Sequence, residues 1–190
     1  METSNDYKEK LDVIYSMIEN SKIRIRENAF FYLLWGWLVL FASLSHFIMM
    51  KYGIFYSFLA WPVIMTAGGV ISAVAGVRMG KRAGYRTHID TAVIYLWYGF
   101  FFALLVILAF AIGGKIQWEI TNALIIVMYG LGTFVSGGIL KFKPLIIGGI
   151  SCWIIALGAF FVPGHYMLLL VALSIIISYL VPGYLLRRAR

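Results

Sequence analysis

Residues 144–186 read PLIIGGISCWIIALGAFFVPGHYMLLLVALSIIISYLVPGYLL, 43 positions without one Asp, Glu, Lys or Arg. A helix rises about 1.5 Å per residue, so crossing ~30 Å of hydrocarbon takes roughly 20 apolar residues. This stretch is long enough for two crossings, and Pro163-Gly164-His165 interrupts it where a turn is needed. Working outward toward the N-terminus, charge-free runs recur over 120–140, 91–114, 52–77 and 28–50. The spans are read as roughly 30–50, 54–77, 91–112, 120–140, 144–162 and 166–186. A closed β-barrel would also satisfy backbone groups in lipid, but it requires short segments alternating apolar and polar. These runs are apolar on every face. The fold class is therefore all-α integral membrane, with six transmembrane helices as three hairpins and an N-terminal helix in water.

Composition agrees. Of 190 residues, 62% are hydrophobic and 13% charged, about half the charged fraction of a soluble domain. Only residues 1–28 read as water-soluble, which divides the chain into that segment and a membrane domain over 29–190. No cleavable signal peptide is expected, because a polar, helix-like segment precedes the first apolar run. The single cysteine, Cys152, excludes a disulfide within one chain and a zinc cluster.

The charges orient the chain. With the N-terminus inside, 14 of the 16 Lys and Arg fall on cytoplasmic segments, and only Lys51 and Lys115 lie outside. This places both termini on the cytoplasmic side of the membrane. It also accounts for the net charge of +8 without nucleic acid: the basic residues sit beside an anionic leaflet.

Residues 5–28 pattern as an amphipathic helix. Asp6 and Glu9 have capping-box spacing, and Leu11, Ile14, Ile18 and Ile25 share one face with Tyr7. A helix bound for an anionic surface carries excess positive charge. Residues 1–28 balance five cations against six acids. That neutrality points to docking on protein, either a second copy or a partner; the competing reading is a short interfacial lead-in to the first span.

Small residues recur at four-residue spacing: Gly68, Ser72, Gly76 and Gly80 on span two, Gly132 and Ser136 on span four, Gly148, Cys152 and Ala156 on span five. Such faces let helix backbones approach closely, so they are read as packing faces. Weak similarity between the first two hairpins, with Trp35 matching Trp97 and Gly69 matching Gly132, raises the expectation of three like hairpins around a pseudo-threefold axis. Pro182-Gly183 is expected to kink or end span six.

Chemistry has few places to reside. No ionisable acid or Lys/Arg falls in mid-bilayer, which weighs against a proton-coupled pump. There is no HExxH, GxSxG or P-loop, and no base adjoins a span serine, so neither catalysis nor a cofactor is expected. Two polar clusters are candidates. On the outer side stand His46, Glu119, Asn122 and His165, residue types that bind metal or titrate near neutrality. On the inner side Glu27, Asn28, His88 and Asp90 adjoin Arg78, Arg82 and Arg86, a set able to hold a phosphate or simply to form solvated ion pairs. The tryptophans mostly read as interfacial anchors.

The stretch Glu27-Asn28-Ala29-Phe30-Phe31-Tyr32-Leu33-Leu34-Trp35-Gly36-Trp37, after a short charged helix, resembles a family of small uncharacterised bacterial inner-membrane proteins. That resemblance implies a location and no activity. In length, span count and hairpin layout the chain is also similar to the HdeD-like acid-resistance membrane proteins, which implies an envelope or acid-stress role. The functional expectation is a non-enzymatic module that oligomerises or docks a partner. The alternatives are a channel or carrier for a small neutral or apolar solute, and an envelope pH or stress sensor.

Overall fold

The computed structural model describes the backbone of residues 4–83 and 88–188, and the side chains of residues 28–81 and 89–188. All regular structure among the described residues is helical: α1 Ser4–Lys51, α2 Ala60–Ala83, α3 His88–Ile112, α4 Trp118–Ile139, α5 Lys143–Gly158, α6 Met167–Ile175 and α7 Val181–Arg188. A π-helical turn, Ile176–Leu180, joins α6 to α7, so both belong to one crossing. Six stretches are long and apolar enough to span a membrane: Asn28–Lys51, Ser57–Lys81, Ile89–Ile112, Trp118–Ile139, Lys143–Phe161 and Gly164–Arg188. They match the charge-free runs to within a few residues, because the cost of a charge in hydrocarbon sets the ends.

The first boundary differs from expectation. The N-terminal helix and span one are one continuous helix of 48 residues. The face of Leu11, Ile14, Ile18 and Ile25 lies outside the described side chains.

Helix ends close with standard backbone bonds. After α3, Gly114 takes φ +68°. Lys115 N–H reaches Phe110 O at 2.9 Å and Gly114 N–H reaches Ala111 O at 3.0 Å, a Schellman motif that satisfies two orphan carbonyls. Between α4 and α5 the same geometry falls on a lysine. Lys141 has φ +51°, with Phe142 N–H on Gly137 O at 2.9 Å. That left-handed lysine makes a turn of very few residues, so α4 and α5 lie side by side and antiparallel.

Their interface is the most extensive in the molecule. It is built on glycine. A Cβ on Gly149 would lie 2.7 Å from Gly130 O and from Phe134 N; one on Gly137 would lie 2.7 Å from Ile146 N. α5 then meets the last span at Gly148, where a Cβ would come within 2.9 Å of Ser178 Cα. α1 meets the last span at Gly36, against Tyr179 and Leu180, and at Gly183, against Tyr32 and Leu33. α1, α4, α5 and the last span thus form a four-helix centre.

The small-residue faces read from sequence divide. Gly68 packs on Leu38 and Trp35, Gly132 on Trp97 and Phe100, and Cys152 and Ser136 are fully buried. Gly76 and Gly80 face open space, with nothing within 4 Å of a Cβ. α2 packs on α1 and α3 on α4, each exposing most of its surface. This flanking arrangement departs from three equivalent hairpins about a threefold axis: the last span is the most enclosed and α3 the least. The physical reason is that α1, α4, α5 and the last span carry glycines where they meet one another, whereas α2 offers only Gly68 and Gly99 of α3 faces open space.

Pro182 does not end the last span; α7 runs on to Arg188. A proline lacks an N–H, and its ring presses on the carbonyl four residues back. The preceding turn widens instead, with Val181 N–H bonding Ile176 O, five residues back.

Gly149→Leu is expected to lower stability in detergent by about 2 kcal/mol or more, since backbone rather than a flexible side chain blocks it. Gly76→Leu is expected to stay within about 0.5 kcal/mol of the parent. Thermal unfolding of the two purified variants checks both. Lys141→Gly is expected to stabilise by about 0.5–1 kcal/mol in the same assay, by relieving the left-handed backbone.

Candidate functional site

The π turn swings Tyr179 into the centre of the bundle, where it meets rings from three other helices. Its ring lies 5.7 Å from that of Tyr32 on α1, 5.6 Å from Tyr129 on α4 and 6.1 Å from Trp97 on α3. Phe100 completes the group, 5.2 Å from Trp97 and 5.8 Å from Tyr129. Most of these pairs are edge-on, the arrangement the ring quadrupoles favour. Trp97, expected to anchor α3 at an interface, is instead a member of this hub.

The hub is polar as well as aromatic. The hydroxyls of Tyr32, Tyr179 and Ser136 are buried; that of Tyr179 has no hydrogen-bond partner among the described residues, while those of Tyr32 and Ser136 stand opposite one another. Ser136 lies beside the Tyr32 hydroxyl, and the Tyr179 hydroxyl is within electrostatic reach of those of Tyr32 and Tyr129 and of the Cys152 thiol. Other polar atoms nearby are satisfied locally. Ser178 Oγ donates to Ser174 O at 2.7 Å, and the Cys152 thiol donates to the same carbonyl at 3.7 Å. Ser174 Oγ donates to Val171 O at 2.8 Å, and Thr133 Oγ1 to Tyr129 O at 2.8 Å. Serine and threonine commonly return to their own helix in this way. A tyrosine cannot, because its hydroxyl stands too far from its own backbone. The fold thus gathers the hydroxyls of Tyr32, Ser136 and Tyr179 in a low-dielectric interior, where each polar contact counts for more than in water.

The polar residues singled out from sequence fare unevenly. His46 accepts a hydrogen bond from Trp61 Nε1 at 3.0 Å. His165 stacks on Phe47 and Tyr166, with centroids 6.1 and 4.2 Å away. The two histidines thus share one end of the bundle. Glu119 is exposed and Asn122 half-buried on α4, and no group of three His, Cys, Asp or Glu able to hold a metal forms among the described residues. Of the other cluster, Asn28 and Asp90 are half-buried and Arg78 is exposed. The side chains of Glu27, Arg82, Arg86 and His88 lie outside the described residues.

The hub was not legible in the sequence. Its members stand far apart in the chain, and a tyrosine in an apolar run reads as a ring before it reads as a hydroxyl. Pro182 was the available signal, since a proline inside a span marks irregular backbone, and irregular backbone at membrane depth lines protein or cavity. Comparison with protein-family models, with curated proteins and with solved structures returned no match, so the reading of this site rests on its geometry.

Tyr179→Phe is expected to leave stability unchanged or raise it slightly, because it removes an unsatisfied buried hydroxyl while keeping the ring. Tyr179→Ala is expected to lose about 3 kcal/mol, because it opens a cavity among four helices. Denaturation followed by tryptophan fluorescence separates the two.

Proposed function

We propose that this protein is a non-enzymatic module of a bacterial inner membrane, with both termini in the cytoplasm, that oligomerises or docks a partner through the first half of α1. The observation that carries this reading is the continuity of α1. Its 48 residues include a spanning part of 24, Asn28–Lys51, so an equal length precedes the membrane. At about 1.5 Å per residue this arm extends roughly 36 Å. A helix that enters the bilayer unbroken couples whatever holds the arm to the tilt and rotation of the span. A flexible lead-in would lose that coupling. The near-neutral charge of the arm supports contact with protein over contact with an anionic surface. The packing of α2 on α1, α3 on α4 and α6 on α5 supports three hairpins, each returning to the cytoplasmic side.

Full-length protein and a version lacking residues 1–27, both extracted from native membranes in mild detergent and weighed intact, test the docking. A stoichiometric partner, or a larger homo-oligomer, is expected for the full-length form alone. Identical masses apart from the deletion would overturn the reading. For the orientation, a Cys152→Ala background carrying Lys115→Cys is expected to react with an impermeant thiol reagent in intact cells. The same background carrying Lys141→Cys is expected to react only after permeabilisation.

A second reading is favoured by the buried hydroxyls of Tyr32, Ser136 and Tyr179: a carrier for a small neutral solute. Purified protein in liposomes would then pass small polyols, and combining Tyr32→Phe, Ser136→Ala and Tyr179→Phe would reduce that flux by roughly tenfold or more, the scale of about two lost hydrogen bonds. Absence of flux across a panel of neutral hydroxylated solutes would remove this reading.

A further inference from the structure

An open groove of about 520 Å³ runs along the outside of the bundle between α1 and α7. Phe30, Leu34, Trp37 and Phe41 form its floor at helical spacing, and Tyr184 and Arg187 come from α7. Trp37 Nε1 donates to Tyr184 Oη at 3.2 Å, tying the two helices together and leaving that indole N–H satisfied. The lining is otherwise apolar, and it contains no carboxylate.

Two features of this groove match one molecule. The first is length. Phe30 to Phe41 covers three turns of helix, about 16 Å at 1.5 Å per residue, which is half of a ~30 Å hydrocarbon core. The groove is one leaflet deep. The second is charge. Arg187 stands in the last turn of α7, at the end of the bundle that also carries Arg188, Lys143 and Arg78. A planar guanidinium presents paired donors that fit phosphate oxygens in bidentate fashion. An apolar slot one leaflet deep with a guanidinium at its rim is the shape of a phospholipid: acyl chain along α1, phosphate on Arg187.

We propose that the α1–α7 groove is a binding site for a single anionic phospholipid, held by its acyl chain against Phe30, Leu34, Trp37 and Phe41 and by its phosphate on Arg187. A protein helix is the poorer occupant. It is wider than one acyl chain, and it would need a carboxylate placed at one depth to answer Arg187. The competing role for Arg187 is to complement the C-terminal carbonyls of α7. That role requires no lipid and predicts no preference among headgroups. The site is independent of the docking reading, although α1 carries both: lipid occupancy bears on the spanning half and partner binding on the arm.

The test uses the full chain in nanodiscs of equal phosphatidylglycerol and phosphatidylcholine, released into mild detergent and weighed with the lipids it retains. The wild type is expected to keep one phosphatidylglycerol in preference to phosphatidylcholine. Arg187→Gln is expected to lower that preference by roughly fivefold or more, the scale of one cation beside an anionic headgroup. Arg187→Lys should restore part of it. Leu34→Trp, which fills the floor, should lose the retained lipid whatever its headgroup. Arg187 is exposed and Leu34 half-buried at the groove, so unchanged thermal unfolding in phosphatidylcholine alone verifies the fold. Should Leu34→Trp unfold, Leu34→Phe takes its place. Equal retention of both lipids by the wild type, or a preference that survives Arg187→Gln, would overturn the proposal and leave Arg187 as a helix-end charge.

Discussion

Gly130 and Gly149 let the backbones of α4 and α5 come closer than any side chain would permit, and the rest of the bundle is arranged around that approach. In a bilayer, burying an apolar side chain between helices gains little over leaving it in lipid, because both environments are hydrocarbon. What separates a contact from mere adjacency is dispersion at short range and the backbone dipoles it brings near one another. Gly137 and Gly148 extend the same close contact along α4 and on to the last span, while Gly36 and Gly183 bring α1 to its other side. α2 and α3 lack such glycines on their inward faces beyond Gly68, and they remain flanking helices packed chiefly on α1 and α4 respectively.

The π turn at Ile176–Leu180 is a consequence of that tight packing meeting a proline. Pro182 is buried beside Gly148, so the helix cannot bend away from it toward lipid. Widening one turn is the remaining response. The widened turn rotates Tyr179 toward Tyr32 and Tyr129, and the hub forms. Backbone irregularity and the buried hydroxyl group thus have one cause, a proline held inside a close-packed face. The same helix ends in Tyr184 and Arg187 on the outer face, so α7 contributes to both the hub's support and the lipid-sized groove. α1 connects everything: Tyr32 faces inward, Phe30, Leu34, Trp37 and Phe41 face the groove, and the arm continues beyond the membrane.

Much of the fold was legible in residues alone. The run over 144–186 demanded two crossings, and Pro163-Gly164 marked where they meet. Pro144 lies in the first turn of α5, where its missing N–H costs little. Less of the site was legible. Gly76 and Gly148 look alike in a four-residue ladder, yet one faces open space and the other touches Ser178. Gly130, Gly137 and Gly149 carry the principal interface and stood outside the ladders chosen. Trp97 resembled an interfacial anchor because tryptophan prefers that depth, and only the tertiary structure shows that it packs half-buried against the core rings.

The sequence by itself determined that this chain has six stretches long and apolar enough to cross a membrane, because that property is a local matter: roughly twenty residues without charge satisfy their own backbone and suit an apolar solvent. The tertiary structure decided which helices are central, which glycines touch, and that Tyr32, Ser136 and Tyr179 share one buried place. Lipid treats all apolar faces alike, so no pattern along a single helix distinguishes the face that meets a neighbour from the face that meets an acyl chain. Only the fit of one backbone against another makes that distinction.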